Sequence, residues 1–159
     1  MECLFVNLLG ELNDLLENPP LASDIEAPQA AELSIDGVGF LITHGRAPGG
    51  LLSVHCIFGK PAEAGGSELN RLLEMNLTLA NSCAGSLGMH GENGDVVYVF
   101  HAPLVGLGAA QLLESLRHAA GQARAWRDRQ ALLANGALGG ASEAATSVRT
   151  LDLACAKRA

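Results

Sequence analysis

Three apolar segments, Ala31 to Ile35, Val38 to His44 and Leu51 to Phe58, are separated only by Asp36-Gly37 and by Gly45-Arg46-Ala47-Pro48-Gly49-Gly50. Parallel strands need a crossover of about a dozen residues, so connections this short leave only antiparallel neighbours. In the third segment Leu52, Val54, Cys56 and Phe58 alternate with Leu51, Ser53, His55 and Ile57. One face of that strand is therefore wholly apolar, and the other is mixed and open to solvent or to a partner.

Helices are expected on either side of this meander. Leu4, Phe5, Leu8, Leu9, Leu12, Leu15 and Leu16 recur at helical spacing until Pro19-Pro20 ends the pattern. After the Gly65-Gly66 break, Ser67 is placed to cap a second helix that runs to about Asn81. Cys83 to Met89 and Val96 to His101 then predict a hairpin around Gly91-Glu92-Asn93-Gly94, closed by Ala102-Pro103. A third helix is expected from about Ala109 to Ala134, with Leu112, Leu113, Leu116, Ala120, Ala123 and Trp126 on one side and Arg117, Arg124 and Asp128 on the other. The fold class is α+β, in the order helix, three strands, helix, two strands, helix, with a twisted antiparallel sheet packed by helices. Residues 1–134 are read as one domain. Residues 135–159 turn to Gly, Ala, Ser and Thr, with only Val148, Leu151 and Leu153 able to bury much area, which predicts a disordered or weakly docked tail.

Charge narrows the partner. Residues 1–98 hold 3 Lys/Arg against 13 Asp/Glu, whereas residues 99–159 hold 7 against 4. An acidic body repels phosphate and anionic lipid, so nucleic acid and membrane are disfavoured, while a neutral or basic polypeptide is acceptable. The start, Met1-Glu2-Cys3-Leu4-Phe5-Val6, lacks a basic flank, and Glu11 and Asp14 interrupt the apolar run. That predicts a chain that stays in the cytosol. Cys3, Cys56, Cys83 and Cys155 stand far apart with no Cys-x-x-Cys pair, which fits reduced thiols better than a disulfide framework or a zinc site.

The second helix carries the most functional information. On a helical wheel Leu69, Leu72, Leu73, Met75, Leu77, Leu79 and Ala80 spread over an arc of roughly 200°, wider than the stripe of somewhat over 100° that one packed face needs. The surplus calls for a second cover, and a second copy of the same helix is the simplest one. Asn76 falls inside the arc, where an unpaired amide would cost about 1 to 3 kcal/mol. It can bond its symmetry mate or nearby backbone and so set the register of a dimer. The alternative is a monomeric core helix with Asn76 bonded to a neighbouring strand.

No catalytic constellation stands out. His44, His55, His90, His101 and His118 are scattered, and His55 and Cys56 point to opposite faces if both lie on a strand. There is no Gly-x-Ser-x-Gly elbow, phosphate-binding Gly-x-x-x-x-Gly-Lys loop or His-Glu-x-x-His helix. No catalytic residue, metal site or cofactor is therefore assigned.

The element order, the acidic balance and the run Leu72-Leu73-Glu74-Met75-Asn76-Leu77-Thr78-Leu79-Ala80 carry a likeness to a known family. So do Gly85-Ser86-Leu87-Gly88, the strand Val96 to His101, and Leu104-Val105-Gly106-Leu107 before the helix with Trp126. Over about residues 1 to 130 the chain resembles the type III secretion chaperone family, in the class that includes the Tir chaperones and serves one or a few effectors. The resemblance implies a non-enzymatic homodimer that binds the extended amino-terminal segment of an effector, keeps it soluble and export-competent, and can present it to the secretion machinery. It also implies a dimer interface on Leu69, Leu72, Leu73, Met75, Asn76 and Leu79. By position, the client-facing surface would draw on Leu8, Leu12 and Leu16 of the first helix and on Leu33, Ile35, Phe40, Ile42 and Val54 of the strands. The rival reading is a regulatory interaction module of the same fold that binds a folded partner or a secretion regulator.

Overall fold

A computed structural model describes residues 2–17, 30–45, 50–62, 66–81 and 84–134. Among them the chain forms α1 (Glu2–Leu15), β1 (Ala30–Ile35), β2 (Val38–His44), β3 (Leu51–Gly59), α2 (Gly66–Asn81), β4 (Ser86–Met89), β5 (Val96–Pro103) and α3 (Ala109–Ala134). This is the expected order. The strands make one antiparallel sheet in the order β1-β2-β3-β5-β4. The expected tail 135–159, together with Cys83 and Cys155, lies outside the described residues.

Local chemistry explains the joints. Asp36 and Gly37 both take positive φ, 52° and 75°, between the paired residues Ile35 and Val38. Two such residues are what a type I′ hairpin needs to match the twist of its strands. Gly85 enters β4 at φ 129°, where a Cβ would stand 2.5 Å from the Val99 carbonyl oxygen, so no larger residue fits. The Tyr98 hydroxyl donates to the Ala84 carbonyl beside it.

Two boundaries differ from expectation. β4 spans only Ser86–Met89, and β5 continues through Ala102 to Pro103. Because β4 pairs with β5 only from Val96 to Val99, the second half of β5 has no neighbouring strand on that side among the described residues. A proline that lacks an N–H is tolerated there, opposite Leu51 of β3.

The core lies on one face of the sheet. Ile35, Phe40, Ile42, Leu52, Val54, Cys56, Phe58, Leu87, Val96 and Tyr98 point into it. They meet Phe5, Leu8, Leu9 and Leu12 of α1 and Leu112, Leu113, Leu116, Ala119, Ala120, Ala123 and Trp126 of α3. Each large aliphatic side chain so buried contributes about 1.5 to 3 kcal/mol. The alanines let α3 approach closely enough for the Cys56 thiol to lie 3.9 Å from the Ala119 carbonyl oxygen. Among the described residues no helix is long and apolar enough to cross a membrane.

Arg127 pins the far end of α3. The register of β3 against β5 slips between Ile57 and Gly59, and Gly59 takes φ 103°. At this irregularity Arg127 donates to the carbonyls of Phe58, Gly37 and Ile57, each at 2.9 Å. One guanidinium thus ties α3 to β3 and to the β1–β2 turn. The exposed Arg124–Asp36 pair nearby, at 3.3 Å, adds little. Arg127→Met is expected to lower the unfolding free energy by about 2 to 3 kcal/mol in urea denaturation, because three carbonyls lose a charged donor. Arg127→Lys should recover only part of that, since an ammonium cannot span the three acceptors.

Candidate functional site

Small-molecule chemistry finds little purchase here. Among the described residues no group of three or more His, Cys, Asp or Glu is placed to hold a metal ion. His44 packs on the Phe5 ring at 4.7 Å on the core side. His55 and His101 lie on the opposite face of the sheet, with Ser53 Oγ 2.9 Å from His101 Nδ1. Cys56 is buried beneath α3, and burial pushes its thiol up to about 12, which leaves it protonated and unreactive. What the surface offers instead is apolar area.

The wide apolar arc of α2 divides in two. Leu72 and Leu79 are buried in the chain's own core, with Met75 packed against it. Leu69, Leu73 and Leu77 are exposed, at 42%, 66% and 67%. Spaced four apart, they form a single stripe along the helix that Ala80 prolongs, also exposed. No described element covers it. Of the residues expected at a dimer interface, Leu69 and Leu73 reach the surface, whereas Leu72 and Leu79 are taken up by this chain. Leu77 was left out of that set although it is the most exposed of the three; its place at i+4 from Leu73 was the available signal.

Asn76 explains the division. Its amide nitrogen donates to the Leu87 carbonyl at 2.7 Å, and its amide oxygen accepts from the Leu87 N–H at 2.6 Å. Leu87 belongs to β4, the outermost strand on that side. The side chain therefore answers both polar groups of one edge residue as a neighbouring strand would, and it turns Leu72, Met75 and Leu79 toward the sheet. The amide that needed a partner finds it in a neighbouring strand of the same chain.

The residues expected to face a client lie mostly inside. Leu8, Leu12, Ile35, Phe40, Ile42 and Val54 are buried in the core that α1 and α3 form with the sheet. That corrects their assignment as open surface: they belong to the covered face, because alternate strand residues point to opposite sides and α3 takes this one. Leu16 and Leu33 are partly buried at the margin of the core. On α1 itself Leu4, Val6 and Leu15 are exposed. The other face of the sheet carries Leu41, Leu51, Ile57, Val97 and Val99, none of which joins the core. β1 is the other outermost strand of the sheet.

Comparison with known proteins points in one direction. Residues 7–127 match the Tir chaperone protein (CesT) family. In fold the chain is similar to a chain in the crystal structure of the ExsC–ExsE complex, with a TM-score of 0.70 at 16% identity over 82% of this chain and 96% of that one. It is also similar to a chain in the structure of the HopA1–SchA chaperone–effector complex, with a TM-score of 0.64 at 19% identity over 80% and 95%. No curated protein matches it.

Asn76→Leu keeps the volume of the side chain and removes both bonds to Leu87. It is expected to cost about 1 to 3 kcal/mol of stability in urea denaturation, with the backbone amide of Leu87 losing protection in hydrogen exchange.

Proposed function

The chain belongs to the Tir chaperone protein (CesT) family of type III secretion chaperones, and from that premise we propose that it works as a homodimer holding the extended amino-terminal segment of an effector. As a member of that family it is a non-enzymatic chaperone, and its work is binding. The observation that carries the dimer is the Leu69, Leu73, Leu77 stripe. A lone subunit leaves these three leucines in water, and pairing α2 with its copy removes them at about 1.5 to 3 kcal/mol each before association costs. Leu72, Met75, Asn76 and Leu79 support the stripe from beneath and hold the helix against β4.

The client would then lie where apolar surface remains. Leu16 and Leu33, partly buried against the core, and the exposed Leu4, Val6 and Leu15 of α1 are apolar surface available to client side chains. Among the described residues β1 has a strand on one side only, so an extended segment can add to its other edge. Leu8, Leu12, Ile35, Phe40, Ile42 and Val54 form the floor under that surface. An effector segment held in this way stays unfolded and soluble, and ready for delivery to the secretion machinery. The acidic body of residues 1–98 favours a neutral or basic client.

In sedimentation equilibrium at micromolar concentration the chain is expected to show the mass of two copies. Leu73→Glu/Leu77→Glu should weaken the dimer at least about 100-fold, since each protomer loses two buried leucines and gains two unpaired carboxylates. A wild-type mass of one chain would count against the proposal. Pull-down with an isolated, unstructured amino-terminal effector fragment separates the chaperone from a module that needs a folded partner.

A further inference from the structure

The sheet face opposite α1 and α3 has an ordered chemical layout. Cross-strand pairing sets Glu32, Leu41, His55, Val99 and Ser86 in one row across β1, β2, β3, β5 and β4. The next row holds Thr43, Ser53 and His101. On the other side of the His55 row stand Gly39, Ile57, Val97 and Gly88. His55 is thus flanked by Leu41 and Val99 and lies diagonally from His101, whose Nδ1 is engaged by Ser53. The titratable groups on this face are Glu32, at the β1 rim beyond Leu41, and the two histidines; β4 contributes only Ser86 and Gly88. No lysine or arginine of the described strands stands here.

Resting on the chaperone reading, we propose that this face seats an uncharged, alternately apolar stretch of the client, and that His55, set between Leu41 and Val99, makes the seating depend on pH. The charge pattern selects that occupant. Among the described residues a seated carboxylate would find no lysine or arginine on the face, and a seated cation would find only Glu32 at the edge. Leu41, Ile57, Val97 and Val99 offer apolar contact, and Val97 and Val99 repeat at the two-residue spacing of an extended segment. A second copy is proposed to take α2, a different element.

The switch follows from desolvation. Burial, and then the neighbouring His101, hold the His55 pKa below its ordinary value of 6.5. A client laid over the ring would remove more water and lower it further, so protonation and docking compete. Affinity is full above the free-state pKa of His55 and falls as pH drops through it, in a window below about 6.5. Acid therefore weakens the seating.

The test uses the full chain and an end-blocked decapeptide of alternating leucine and serine carrying a rhodamine label, followed by fluorescence anisotropy. The peptide is expected to bind at pH 7.5 and to weaken several-fold by pH 5.5, by at most about tenfold. In H55Q the affinity should stay near the wild-type pH 7.5 value at both pH values. Imidazole NMR of the wild type gives a second reading, in which saturating peptide lowers the His55 titration midpoint. A pH-independent wild-type affinity, or the same pH dependence in H55Q, would overturn the switch and leave the chaperone reading standing. No binding of the peptide at either pH would overturn the docking face itself. Dimer mass and retention of an effector fragment test the chaperone reading separately.

Discussion

Everything distinctive about this molecule follows from packing its long helices on one side of its sheet. α3 lies against β3 and reaches β1 and β2, α1 lies against α3, and Leu72 and Leu79 of α2, which packs on β4, complete the same core. A sheet covered on both faces would be a finished object, with continuous apolar strands and nothing left to offer. Here the second face keeps Leu41, Ile57, Val97 and Val99 within reach of solvent, and the remaining helix, α2, is displaced to the β4 edge with three of its five leucines uncovered. Stability comes from the covered side, and the apolar residues of the remainder stay outside the core. Division of this kind suits a protein whose task is to hold another chain, because the binding surface can stay apolar without being part of the core.

Much of the fold was legible in the residues. The Asp36-Gly37 turn and the alternation through Leu52, Val54, Cys56 and Phe58 gave the first three strands nearly to the residue, since turn chemistry and a period of two are strong local signals. α3 was equally plain from Leu112 to Trp126. The end of β5 was missed because Pro103 reads as a stop, and only the shortness of β4 makes room for it. The inward face of the strands was the real obstacle. β2 and β3 carry apolar residues on both sides, so Phe40, Ile42 and Val54 were as plausible on an open surface as Leu41 and Ile57. Their sides are decided by where α1 and α3 settle, and that is long-range information a local pattern does not hold.

The same limit shows in α2. Its excess of apolar surface was visible, but the border between inner and outer leucines was not, because it is drawn by the bond between Asn76 and Leu87. That partner lies eleven positions onward, beyond the end of α2 and in a four-residue strand. A buried amide calls for a partner and a strand of its own chain is one candidate, but only the fold fixes which backbone answers it.

That amide has one further effect. A β-sheet exposing backbone along both outer strands is a template that can keep recruiting copies of itself, end upon end, into a fibre. By occupying the Leu87 backbone, Asn76 and its helix blunt one of those margins. Recruitment along that side therefore stops at a single carboxamide.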